Sequence, residues 1–119
     1  MRRMLFALLF GAIIFTGCST INEAEAFSDL NWLNVLTEKM QNEPVGNPPQ
    51  SVWKYDYKSA TVFYVPPQCC DQFSVLYSAD GVVLGFPDGG ITGTGDGRFP
   101  DFFTVRTNEF LVWKDSRTR

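Results

Sequence analysis

A chain of 119 residues with ten Lys and Arg against thirteen Asp and Glu makes a single domain of net charge −3, an acidic balance that excludes phosphate-backbone binding, which needs clustered cations. There is no histidine, so Ser-His-Asp and Cys-His catalysis are excluded and a zinc enzyme centre lacks its usual nitrogen ligands. Any enzyme chemistry would fall to Asp carboxylates or a thiol, and neither has a recognisable catalytic setting, so the chain reads as non-enzymatic.

The chain opens with Met1-Arg2-Arg3, then an apolar stretch from Met4 to Phe15, then Thr16-Gly17-Cys18. A positive start, a short apolar core and small residues at a cut site define a secretory signal, and the stretch is shorter than the roughly 20 residues of a membrane span. Phe15-Thr16-Gly17-Cys18 resembles the lipobox of bacterial lipoproteins, with Phe where Leu, Val or Ile is usual. The resemblance implies cleavage before Cys18 and a lipid on its thiol. Residues 1–17 are thus expected to be a signal peptide. Their loss takes Arg2 and Arg3, leaving 102 residues of net charge −5 with fifteen aromatics for a core. Membrane attachment would rest on several acyl chains, since no basic run addresses anionic lipid. Ser19 rather than Asp behind the cysteine fits sorting to the outer membrane of the bacterial envelope.

Residues 18–27 form a short polar tether of about 30 Å at full stretch, and residues 28–119 the globular domain. A helix is predicted over Ser28–Gln41, with Ser28 as N-cap, Asp29 in the first turn, and a staple between Phe27 and Trp32. Leu33, Leu36 and Met40 line one face, with Trp32 and Val35 beside them. Pro44, Gly46, Pro48 and Pro49 end it.

Strands follow. Val52–Tyr57 alternates, with Trp53, Tyr55 and Tyr57 on one face, and a Lys58-Ser59 break leads to a second run over Thr61–Val65. Phe73–Tyr77 and Val82–Phe86 flank Ser78-Ala79-Asp80-Gly81, and Asp-Gly between apolar runs is a strong hairpin signal. Phe110–Trp113 closes the sheet, and Lys114–Arg119 reads as a polar tail. The predicted fold is α+β: one N-terminal helix packed on an antiparallel sheet of four to five strands.

Two stretches are candidates for chemistry. Residues 85–101 hold six glycines and three aspartates. Asp88, Asp96 and Asp101, with Thr92 or Thr94 and backbone carbonyls, have the oxygen chemistry of a calcium site. The alternatives are a turn-rich connection whose aspartates accept bonds from its own backbone, and an anion nest. The second stretch is Pro66-Pro67-Gln68-Cys69-Cys70-Asp71. Cys69 and Cys70 are the pair left once Cys18 carries lipid. They read as two structural thiols, as a strained vicinal disulfide, or as a pair used between molecules.

These stretches also carry a resemblance. Val62 to Tyr77 with its Cys-Cys-Asp-Gln, then Pro87-Asp88-Gly89-Gly90-Ile91-Thr92-Gly93-Thr94-Gly95-Asp96-Gly97 and Pro100-Asp101-Phe102, resemble a family of small bacterial lipoproteins sharing a domain of unknown function. The resemblance covers roughly residues 30–115 and implies no activity. Proteins of this kind carry two further cysteines, where Gly85 and Phe99 stand here, and those are expected to pair with Cys69 and Cys70. Without them the loop must be held by other means, with Phe99 filling space.

The function expected is that of a lipid-anchored envelope module binding another envelope protein or a small ligand. The alternatives are a calcium-stabilised structural module and an enzyme using Asp carboxylates or a thiol.

Overall fold

Alternating side chains over residues 51–65 fold back on themselves at Lys58 and Ser59. In the computed structural model, which describes Gly11 and residues 30–118, β1 (Ser51–Tyr57) and β2 (Ala60–Val65) pair antiparallel around that two-residue turn. Lys58 and Ser59 take φ of 48° and 65°. Positive φ at both central positions matches the twist of paired strands. β3 (Val75–Ser78) and β4 (Val83–Gly85) form the second hairpin. Its turn closes by Gly81 N–H donating to Ser78 O at 3.0 Å, with Gly81 at φ 81°. β5 (Thr107–Lys114) pairs antiparallel with β1 through two irregularities, giving the order β4-β3-β2-β1-β5.

The result is a five-stranded antiparallel sheet with little helix, a sheet-dominated α+β fold. α1 (Asn31–Asn42) begins three residues later than predicted, and its N-cap is Leu30, without a side-chain capping bond. Ser28 and Phe27, the predicted cap and staple, lie outside the described residues. Val35 is exposed rather than part of the packed face. A second helix, α2 (Phe102–Val105), was not predicted. Four residues are too few to show a helical period.

Both faces of the sheet are covered. On one, Leu33 and Met40 of α1 pack on Val52, Phe63 and Val65, with Trp32, Leu36, Val75, Tyr77 and Trp113 around them. On the other, Tyr55, Tyr57, Val62, Tyr64 and Leu76 pack beneath Phe102 and Phe99. The register explains this split, because Tyr64 stands opposite Trp53 and Leu76 while Phe63 stands opposite Lys54 and Tyr77. Successive residues of β2 therefore serve different layers. Residues 86–101 and α2 form the second cover.

The predicted polar tail is in part structural. Asp115 is 4 % exposed, and its N–H donates to Gln50 O at 2.8 Å. Arg117 Nε and Nη2 donate to the Asp115 carboxylate, and Nη2 also reaches Met40 O at 3.2 Å. The chain end thereby ties the last turn of α1 to the sheet.

Candidate functional site

A buried tyrosine carries an apolar ring and a hydroxyl that must find a partner. Strict alternation places Tyr55, Tyr57 and Tyr64 on the same face, and each hydroxyl donates to a carboxylate brought over the sheet by a later segment. Tyr64 donates to Asp88 Oδ1 at 2.8 Å, Tyr57 to Asp101 Oδ1 at 2.7 Å, and Tyr55 to Glu109 Oε1 at 2.6 Å. Burial, then the bond to Glu109, pushes the Tyr55 hydroxyl up to about 12. Burial and then the Asp88 carboxylate raise Tyr64 still further.

The three aspartates proposed as an ion site thus have separate partners. Asp88 is fixed at both ends of its peptide by Ser74, which is fully buried. The Ser74 hydroxyl accepts from Asp88 N–H at 3.0 Å, and Ser74 N–H donates to Asp88 O at 3.0 Å. Asp101 accepts from Tyr57 and from Lys58 Nζ at 2.9 Å, and these two, in that order, lower its pKa. Asp96 accepts from the backbone N–H of Arg98 and of Phe86 and from Arg98 Nε, and the Arg98 N–H leads in lowering its pKa. Among the described residues no three His, Cys, Asp or Glu side chains gather where they could hold a metal. The Thr92 and Thr94 hydroxyls bond to each other at 2.8 Å.

The glycines allow the loop to fold this closely. A Cβ on Gly95, at φ 63°, would collide with the carbonyl oxygen of Phe86. Gly95 N–H donates to Gly89 O, and Asp96 N–H to Phe86 O. The loop is a set of interlocked turns in which the Asp96 carboxylate accepts from the loop's own backbone, while those of Asp88 and Asp101 accept from tyrosines of the sheet.

Cys69 and Cys70 are disulfide-bonded to each other. Of the readings left open for this pair, the structure takes the vicinal disulfide and not two separate thiols, and Gly85 and Phe99 offer no sulfur to either cysteine. Those two positions lie against one another instead, since a Cβ on Gly85 would meet the ring of Phe99. Phe99 occupies that space and packs against the tyrosine layer. Cys18 lies outside the described residues.

Sequence reasoning missed Arg106. Its guanidinium carbon lies 4.3 Å from the ring centre of Tyr55, 4.6 Å from Phe103 and 5.4 Å from Phe102. Such stacking fixes α2 on the sheet face. Beside it, Tyr55, Phe103, Thr107, Asn108 and Glu109 border an open hollow of about 270 Å³. Tyrosines at alternating positions of β1 and on β2, with Asp88 and Asp101 in the glycine-rich segment, were the available signal for two of the three bonds, and nothing marked Glu109. Nothing marked Arg106.

The fold and its site define a small sheet-based domain, clamped by tyrosine–carboxylate bonds. By residues 38–115, which match the domain of unknown function DUF6970, the chain belongs to that family. No curated protein and no solved structure matches it.

Proposed function

We propose that this chain is a bacterial envelope lipoprotein, anchored by lipid on Cys18 in the outer membrane, whose domain binds another polypeptide along β5 and is not an enzyme. The positive start, short apolar stretch and lipobox-like Phe15-Thr16-Gly17-Cys18 support the anchor. Among the described residues no helix is long and apolar enough to cross a membrane.

The observation that carries the binding reading is β5 itself. It is the outermost strand beside β1, eight residues long, with Phe110 59 % and Leu111 41 % exposed. A long apolar edge strand offers unpaired backbone groups to an incoming strand. A small ligand is less well served, because the hollows are open and of about 270–310 Å³, at the low end for ligand pockets. The test is a photoreactive side chain placed at Thr107 on β5, and separately at Val83 on the opposite edge, in the full chain within native envelopes. The reading predicts a discrete protein adduct from position 107 alone. Adducts from neither position, or from both equally, would contradict it.

A further inference from the structure

We propose that the Cys69–Cys70 disulfide is an exchangeable redox site that accepts two electrons from a dithiol, and is not a structural staple. The inference does not depend on the lipid anchor or on binding at β5.

A disulfide stabilises a fold chiefly by closing a long loop in the unfolded chain. Cys69 and Cys70 are neighbours, already joined by a peptide bond, so there is almost no loop to close. The bond must therefore act locally. Both residues are exposed, as attack by an external thiolate requires. Cys70 and Asp71 have φ of 77° and 68°. Two successive side-chain-bearing residues thus hold the left-handed region, a conformation that such residues rarely adopt and that marks this turn as special. Exposed disulfides are the readily reduced kind.

The flanks hold the turn so that opening stays local. Cys69 N–H donates to Asn47 O at 2.6 Å on one side, and Gly90 N–H donates to Gln72 O at 3.0 Å on the other. The turn also joins two hollows. Gln68, Gln72 and Phe73 border one beside α1, and Asp71 and Phe73 border another with Gly90 and Ile91. Ile91 is 90 % exposed and Phe73 half-exposed. Reduction would change the surface between them.

The step balances as follows. A thiolate of the dithiol attacks one sulfur, the Cys69–Cys70 bond breaks, and a mixed disulfide forms as the other cysteine leaves as thiolate. The second thiol of the reductant then attacks the mixed disulfide. The products are two cysteine thiols and an oxidised reductant, with two electrons and two protons transferred to the protein.

The test equilibrates the folded full chain in glutathione buffers of graded ratio, quenches with an alkylating agent, and reads residues 69 and 70 by peptide mass. Melting curves are recorded at each ratio. The proposal expects both cysteines to become alkylated together at glutathione ratios that leave the melting temperature unchanged, with full reoxidation on reversal. Cys69→Ser and Cys70→Ser should each fold and form a mixed disulfide with glutathione. Resistance to excess dithiothreitol until denaturant is added would overturn the proposal, as would a melting temperature that falls with reduction. So would free thiols at both positions in fully oxidising buffer.

Discussion

Trp32 on α1 lies directly on Gly81 in the β3–β4 turn: its Nε1 donates to the Ala79 carbonyl at 2.9 Å, and a Cβ at Gly81 would stand 2.5 Å from the indole. The same ring packs on Phe63 and Tyr77, at 5.3 and 5.4 Å between centres. One aromatic side chain therefore couples the helix, the sheet and a turn, and Gly81 is required there by both φ and space.

Gly81→Val is expected to lower stability by more than about 1 kcal/mol, since a β-branched residue resists positive φ and the indole must also shift. In a Trp32→Ala background the added cost of Gly81→Val should shrink, because only the backbone part remains. Denaturant melts of the four proteins check this. Equal costs in both backgrounds would show that the indole does not press on the turn.

Tyr64→Phe leaves Asp88 Oδ1 without the hydroxyl that donates to it. A partly buried acceptor left unpaired costs about 1–3 kcal/mol, and the amides of residues 86–97 should lose protection from hydrogen exchange while those of β1 keep theirs. Uniform protection in the variant would show that the loop does not depend on this bond.

Stability should fall at both ends of the pH scale. Asp96, Asp101 and Asp115 have folded pKa values below their ordinary one. Their contribution is therefore present above about pH 4 and is lost as pH falls through the folded values. Tyr55 is raised to about 12, so its contribution is complete below about pH 10 and is lost as pH rises from there through about 12. Melting temperatures across pH should show an acid limb weakened in Asp101→Asn and an alkaline limb weakened in Tyr55→Phe. Limbs unchanged in both variants would contradict the assignment.

Because Asp88, Asp96 and Asp101 each have their own donors, thermal melts of the protein in chelator and in millimolar calcium are expected to coincide. An ion at a hundred times its dissociation constant would add about 2.7 kcal/mol. Such a shift, reduced in Asp96→Asn, would show that the loop rearranges to gather the three carboxylates.

Much of the sheet was legible in the sequence because alternation and turn chemistry are local. Val52–Tyr57, the Lys58-Ser59 reversal and the Asp80-Gly81 turn each mark themselves within a few residues. The helix start was less legible. The predicted cap, Ser28, lies outside the described residues, and α1 begins at Asn31 behind Leu30, which itself packs on the helix-side core. The roles of Asp88 and Asp101 were hidden because their partners are remote: Tyr64 is 24 positions from Asp88, and Tyr57 is 44 from Asp101. Adjacent cysteines read in sequence first as two structural thiols, because neighbours can bridge only through a strained ring, and it is the bond between Cys69 and Cys70 in the folded chain that decides for the disulfide.

The central claim is that a lipid on Cys18 places this domain in the bacterial envelope. The most direct measurement is the intact mass of the protein extracted from the membrane fraction. The account predicts residues 18–119 plus the mass of the acyl chains, and release from the membrane in Cys18→Ala. A mass equal to the unmodified chain, with or without residues 1–17, would contradict it.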